Sequence, residues 1–285
     1  MTGIKNTYRF IRYALLQRHF YSLTAPLRVL PNFIVIGVGR GGTTSLYHYL
    51  NEHPCVIKSA YDELGFFDEN FHLGLNWYRS MFPTKFLKKK IAKEFGKCLT
   101  YDVTPSYIRK PWVARRIKEL FPKIKLIALL RNPVDKAYSH YHLSLRSGVQ
   151  KSSFEEIIEE DVKTFQKFEN TNSMIDDKYF RTYIEKSHLG RGFYAQQLKI
   201  WFELFDRKQI LILTTEELST DTNKTMNKIF QFLDLPDYEI PDTTKHNTAT
   251  YANMKIDTRK KLISFYSKYN QDLFKLLNQE FDWNK

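Results

Sequence analysis

The chain has 285 residues, 42% apolar and 15% aromatic, which is enough for at least one large core and too apolar for a disordered polymer. With 44 Lys and Arg against 31 Asp and Glu, its formal charge of +13 favours anionic partners: nucleotides, nucleic acid, anionic glycans or lipid headgroups. Two cysteines, Cys55 and Cys98, cannot make a disulfide framework, and no His/Cys cluster has zinc-site spacing. A reducing compartment follows, and a cytoplasmic location is expected. No uncharged apolar run approaches the roughly 20 residues that span a bilayer. Arg9, Arg12 and Arg18 also interrupt what would be a signal-peptide core.

Residues 1–30 carry Lys5, Arg9, Arg12, Arg18 and Arg28 and no acidic side chain, with Tyr8, Ile11 and Leu15 at helical spacing. This basic amphipathic segment predicts a helix packed on the domain that follows; contact with an anionic membrane surface is the second reading. Pro31 opens a different texture. The run from Asn32 to Gly37 is apolar and ends in glycine, the pattern of a buried parallel strand, and similar runs recur at 97–103, 124–130 and 209–215. Helical patterns lie between them at 44–51 and 112–121, and from Tyr194 through Leu198, Trp201 and Phe205. The alternation predicts an α/β fold, a central parallel sheet flanked by helices, in one domain over 31–285. Residues 146–190 are polar, with an acidic cluster from Glu155 to Asp161, and read as an insertion between core elements. Residues 236–254 are irregular, and Leu262, Phe265, Tyr266, Tyr269, Leu273 and Leu276 mark one face of a closing helix.

The string Gly37-Val-Gly-Arg-Gly-Gly-Thr-Thr44 follows the first strand and opens the first helix of that domain, which makes it a phosphate cradle in a P-loop-like three-layer fold. Its spacing matches a Walker A loop, except that Thr43 stands where the lysine belongs and Arg40 is the loop's one cation. The strand at 124–130 ends in Arg131 and not in a magnesium-binding carboxylate. The loop therefore suits a nucleotide with fewer phosphates in line and no required metal. Asn132 and Pro133 predict the cap and first position of a helix, and Ser139, two turns in, returns to the side of Arg131. An arginine and a hydroxyl so placed can hold a second phosphate.

Together these elements resemble the sulfotransferases that use 3′-phosphoadenosine 5′-phosphosulfate (PAPS), in the glycan-modifying branch related to heparan sulfate sulfotransferases and its microbial relatives. The resemblance implies that Arg40, Gly41, Gly42, Thr43, Thr44 and Ser45 hold the 5′-phosphosulfate. It likewise gives Arg131 and Ser139 the 3′-phosphate. Arg191-Gly-Phe-Tyr194 continues the match, with Tyr194 among the nucleotide contacts, and Lys245, His246 and Asn247 fall where the late cofactor loop is expected. Glu63, three residues before Phe66-Phe67, is similar to the family's catalytic carboxylate. Arg40 sits where the family usually has lysine, at the leaving group, and His142 is the candidate second base. The chain departs from the family pattern at Asp62, Gly65 and Val103, where lysine, histidine and lysine are common.

The expected activity is transfer of the sulfuryl group from PAPS to a hydroxyl of a carbohydrate or glycolipid, leaving PAP and needing no metal. The alternatives are a P-loop phosphotransferase acting on a small metabolite and a catalytically degenerate nucleotide- or glycan-binding protein. Nucleic acid is not an expected partner, because the basic residues are scattered and no recognition module is present.

Overall fold

The computed structural model describes residues 18–169, 178–244 and 251–284. Five strands, β1 (Phe33–Gly37), β2 (Val56–Ile57), β3 (Leu99–Val103), β4 (Lys125–Leu130) and β5 (Ile210–Thr214), form one parallel sheet in the order β2-β3-β1-β4-β5. The helices are α1 (Arg18–Leu23), α2 (Thr43–Glu52), α3 (Gly74–Ser80), α4 (Lys85–Phe95), α5 (Pro111–Leu120), α6 (Pro133–Arg146), α7 (Phe154–Glu169), α8 (Lys178–Lys186), α9 (Tyr194–Leu204), α10 (Thr215–Thr220), α11 (Thr222–Phe232) and α12 (Ile256–Leu277).

Successive strand residues bury toward opposite faces. Phe33, Val35, Tyr101, Val103, Ile127 and Leu129 pack with Leu46 and Leu50 of α2 and Met226, Ile229 and Phe230 of α11. Ile34, Ile36, Leu126, Ala128 and Leu130 face Val113 and Ile117 of α5, Leu198 and Trp201 of α9, and Leu273 of α12. With both faces covered, β1, β4 and β5 read as nearly continuous apolar runs, while β3 also buries Thr100 and Asp102. Burying each aliphatic side chain contributes about 1.5–3 kcal/mol, so the sheet is the rigid floor on which the loops stand.

The polar stretch at 146–190 folds into α7 and α8 where it is described. Phe154, Ile157, Ile158 and Phe165 line one side of α7, and together with Tyr183 and Ile184 they pack on Val134 and Ala137 of α6 and on Leu262, Tyr266 and Tyr269 of α12. Their charged neighbours cover the outer face, which gives the stretch its polar composition. Of the N-terminal segment, residues 1–17 lie outside the described residues, and α1 packs beside α3. Among the described residues no helix is long and apolar enough to cross a membrane.

Candidate active site

The strand order places β1 between β3 and β4, so the chain leaves β1 toward one side of the sheet and returns on the other. A crevice opens at the C-terminal ends of the strands at such a switch point. Here it is a cavity of about 650 Å³ walled by the β1–α2 turn, the segment after β3, the start of α6, Arg191, Gln197 and α10. In the turn, Arg40 adopts φ 66° and Gly42 φ 82°. A Cβ at Gly41 would lie 2.7 Å from Leu129 O, so the loop hugs β4 as only glycine allows. No side chain caps α2 at Gly42, which leaves the first-turn N–H groups of this helix for the cavity. The Thr215 hydroxyl lies 2.7 Å from Gly41 O and 2.8 Å from Leu130 O, and its proton, shared between them, stitches the loop to β4.

The two predicted phosphate elements touch directly. Arg40 Nε donates to Ser139 Oγ at 3.0 Å, and Arg131 Nη1 donates to the Arg40 carbonyl at 3.0 Å. The Asn132 side chain caps α6 by accepting from Val134 N, as its sequence predicts. Behind this pair, Lys136 is 5% exposed and donates through Nζ to Arg191 O at 2.8 Å, where Gln197 Nε2 also donates. Arg191 Nε is held by Glu185 O, and its Nη1 meets His140 Nε2. Arg109 lines the same cavity with its Nε unpartnered.

Four guanidinium groups and Lys136 thus surround the space, with Glu63 the one carboxylate among the described lining residues. Burial and the neighbouring Arg191, Arg109 and Arg131 push the Lys136 ammonium well below its ordinary pKa. Burial, then Arg109, lowers Arg191 to about 10, which leaves it charged at neutral pH. Burial and Arg191 hold His140 far below the usual histidine range, so its ring is neutral. The cluster is built to receive a multiply charged anion, whose arrival relieves the mutual repulsion of these cations.

Glu63 stands across the cavity with φ 55°, a left-handed conformation that non-glycine residues hold at a cost on the order of 1–2 kcal/mol. Its loop is tied to β3 and the segment that follows. Glu63 N donates to Val103 O at 2.9 Å, Gly65 N to Thr104 Oγ1 at 3.3 Å, and Phe67 N to the Tyr107 hydroxyl at 3.2 Å. Thr104, Tyr78 and Tyr107 all donate to Asp102, a carboxylate with 0% exposure. Desolvation outweighs those three hydroxyl donors and lifts Asp102 to about 6. Asp68 closes the loop by accepting from Ser106 Oγ at 2.6 Å and Lys110 Nζ at 2.7 Å. Glu63 itself has an exposed side chain, yet the cleft walls crowd it. Incomplete solvation, with Asp62 next, raises its pKa, while Arg109 pulls the other way.

Arg40, Gly42, Thr43, Thr44, Ser45, Glu63, Arg131 and Ser139 all line this one cavity, and Gly41 seats the loop behind them. Tyr194 does not: it is 1% exposed, and its hydroxyl donates to Arg131 O at 2.7 Å, fixing that residue from below. His142 is not brought to the cavity either. The α6 residues in the wall are Lys136, Ser139, His140 and Leu143, one stripe at helical spacing, and His142 falls off it. It stacks instead on Tyr251, 4.1 Å between ring centroids. Lys245, His246 and Asn247 lie outside the described residues; the chain just before them meets the cavity at Tyr49, whose hydroxyl reaches Thr243 O and Thr244 O. Sequence reasoning missed Lys136 and His140, although three- and one-residue offsets from Ser139 could have pointed to them. Arg109, Thr215 and Tyr251 come from separate segments and carry no spacing signal, while Arg191 opens the Arg191-Gly-Phe-Tyr194 stretch that the resemblance already singled out.

A family model described as "Sulfotransferase domain" matches residues 30–281. Membrane-associated sulfotransferase kil1 of Dictyostelium discoideum is 25% identical over 322 aligned residues, covering 90% of this chain and 67% of that protein. Bifunctional heparan sulfate N-deacetylase/N-sulfotransferase 3 of Homo sapiens is 27% identical over 88% of this chain, and the match spans 30% of its length. Heparan sulfate glucosamine 3-O-sulfotransferase 5 of Mus musculus is 30% identical over 77% of this chain and 57% of its own. Among solved structures, the sulfotransferase from Alicyclobacillus acidocaldarius superposes with a TM-score of 0.65 at 23% identity, covering 90% of this chain and 100% of that one. At that identity the likeness concerns the fold.

Proposed function

The chain belongs to the sulfotransferase domain family, and from that premise we propose that it moves the sulfuryl group of PAPS to a hydroxyl of a carbohydrate or glycolipid. One observation carries the reading: Arg40 and Ser139, from the two phosphate elements, are hydrogen-bonded to each other in the wall of a cavity that Glu63 also lines. The residues present fit the nucleotide, since α2 opens on the cavity at Gly42 with no side-chain cap and the wall is cationic. When bound, PAPS supplies an electrophilic sulfur and a 5′-phosphate leaving group.

In this proposal the first turn of α2 and Arg40 bind the 5′ end, and Arg40 offsets charge on the departing oxygens. Arg131 and Ser139 hold the 3′-phosphate, and Lys245, His246 and Asn247 add contacts from the late loop. Glu63 takes the proton of the acceptor hydroxyl as its oxygen bonds to sulfur, and its raised pKa brings it closer to the working pH of a general base. Arg109, beside Glu63, orients an oxygen of the acceptor. A glycan acceptor is supported by the heparan sulfate names of two relatives. A cytoplasmic chain with buried free thiols at Cys55 and Cys98, touching a membrane through residues 1–30, completes the reading; the name of the Dictyostelium relative supports the last element.

The deciding measurement is transfer of radiolabelled sulfate from PAPS to a panel of glycans, glycolipids and small alcohols. Alongside it, PAP at 100 times its dissociation constant should stabilise the fold by about 2.7 kcal/mol in EDTA. Stabilisation by ATP with magnesium and none by PAP would overturn the reading in favour of a phosphotransferase.

A further inference from the structure

We infer that α4 is a docking surface for an anionic lipid bilayer, on the end of the sheet opposite the cavity. The inference goes beyond the contact proposed for residues 1–30 and does not depend on the chemistry of the cavity. α4 has the sequence KFLKKKIAKEF and buries none of its residues. Lys88, Ile91 and Ala92 form its half-buried inner side. Phe86, Lys89, Lys90 and Lys93, at positions i, i+3, i+4 and i+7, form one stripe on the outer side. Phe86, at the head of that stripe, is 79% exposed. Five lysines against Glu94 make the helix strongly basic.

The chain beside it continues this character. Arg28 forms an isolated bridge with Thr84, whose hydroxyl caps α4. The residues leading into that bridge, Leu23 and Leu27, are 79% and 65% exposed. α4 also has a fixed place in the fold. Lys88 Nζ donates to Asn32 Oδ1 just before β1, and Phe95 O accepts from Cys55 Sγ just before β2, so the helix lies across the N-terminal ends of the strands.

A partner for this stripe must be anionic at its surface and apolar beneath. A duplex nucleic acid offers the first property without the second. An anionic bilayer offers both: lysines meet headgroup phosphates and carboxylates while an aromatic ring enters the acyl boundary. Docked this way, the protein presents its cavity away from the bilayer, open to acceptors arriving from solution.

The test is co-sedimentation of the full chain with vesicles of phosphatidylcholine alone and of phosphatidylcholine with phosphatidylserine. Wild type should bind only the latter, and binding should fade toward ~1 M salt, where screening shortens to about 3 Å. Replacing Lys89, Lys90 and Lys93 together with serine should weaken binding about 100-fold, and Phe86→Ser about tenfold. Both variants change exposed side chains, so unfolding temperature and PAP binding should match wild type, which separates lost docking from lost folding. Four results would each overturn the inference. These are binding that ignores phosphatidylserine, variants that bind as wild type does, and Phe86→Ser splitting a dimer while vesicle binding persists. The fourth is RNA binding, without vesicle binding, that the lysine variant abolishes.

Discussion

Replacing Asp102 with asparagine isolates one charge beneath the Glu63 loop. The carboxylate has 0% exposure and accepts from Tyr78 and Tyr107 at 3.0 and 3.2 Å and from Thr104 at 2.8 Å. Those donors favour the ionised form; loss of water disfavours it and wins, lifting the group from 3.8 to about 6. That rise corresponds to about 3 kcal/mol. Below pH ~3 the carboxyl is protonated whether the chain is folded or not, and folding carries no penalty. As pH rises toward 6 the unfolded chain loses its proton first, so folded stability falls and levels off above the folded pKa. Asparagine has no such slope. Urea unfolding of both proteins from pH 4 to 7.5 should therefore show wild type losing about 2.5 kcal/mol relative to Asp102→Asn. A difference that is flat, or that grows in favour of wild type with pH, would refute the reasoning and mean that the three hydroxyls outweigh desolvation. Asp102→Ala removes the common acceptor, and it should lower turnover because Gly65 and Phe67 hang from Thr104 and Tyr107.

Glu63→Gln should cut turnover by roughly 10²–10⁴ while PAP affinity measured by calorimetry stays within a few-fold. In wild type the acid limb of the turnover profile should sit above the ordinary glutamate range, because the base must be ionised and its pKa is raised. Near-normal turnover of the variant would remove Glu63 from the mechanism. Arg131→Ala should weaken PAP by about 1.5–3 kcal/mol more than adenosine 5′-phosphosulfate, which lacks the 3′-phosphate. Equal weakening of both would make Arg131 a brace for Arg40 O and nothing more. Gly41→Ala, whose Cβ would meet Leu129 O and Val38, should destabilise by about 1–3 kcal/mol and lose PAP. Gly39→Ala, with nothing within 4 Å of its Cβ, should do neither by thermal shift.

Strands buried on both faces are the most legible elements in this chain, because most of their residues are apolar; β1, β3, β4 and β5 lie within the runs at 32–37, 97–103, 124–130 and 209–215. β2, at two residues, leaves no periodic trace. α7 hid behind its charged face, and α4 has no buried face to advertise itself. The site divides along the same line. Residues carried by a contiguous motif, such as Arg40, Glu63, Arg131 and Ser139, stood out because chemistry and local geometry share one stretch of sequence. Arg109, Arg191 and Thr215 reach the cavity only through the crossing of the sheet. His142 shows the limit at short range: it is a plausible base by proximity in sequence, but it lies about a third of a turn round α6 from Lys136, beyond the Ser139 edge of the wall stripe, and stacks on Tyr251.

The clasp of Thr215 on Gly41 spans 174 residues of chain, and that separation orders events during synthesis. A nascent chain ending before β5 already has the glycine loop, Glu63 and Arg131, with Val38 N and Arg131 Nη1 tying the loop to β4 and its end, yet β4 is still the edge of the sheet and the Thr215 clasp is missing. The clasp therefore closes late, when β5 docks on β4 and the α10 hydroxyl follows it out. A chain stopped short of β5 keeps β4 as an exposed edge and lacks the clasp that closes the loop.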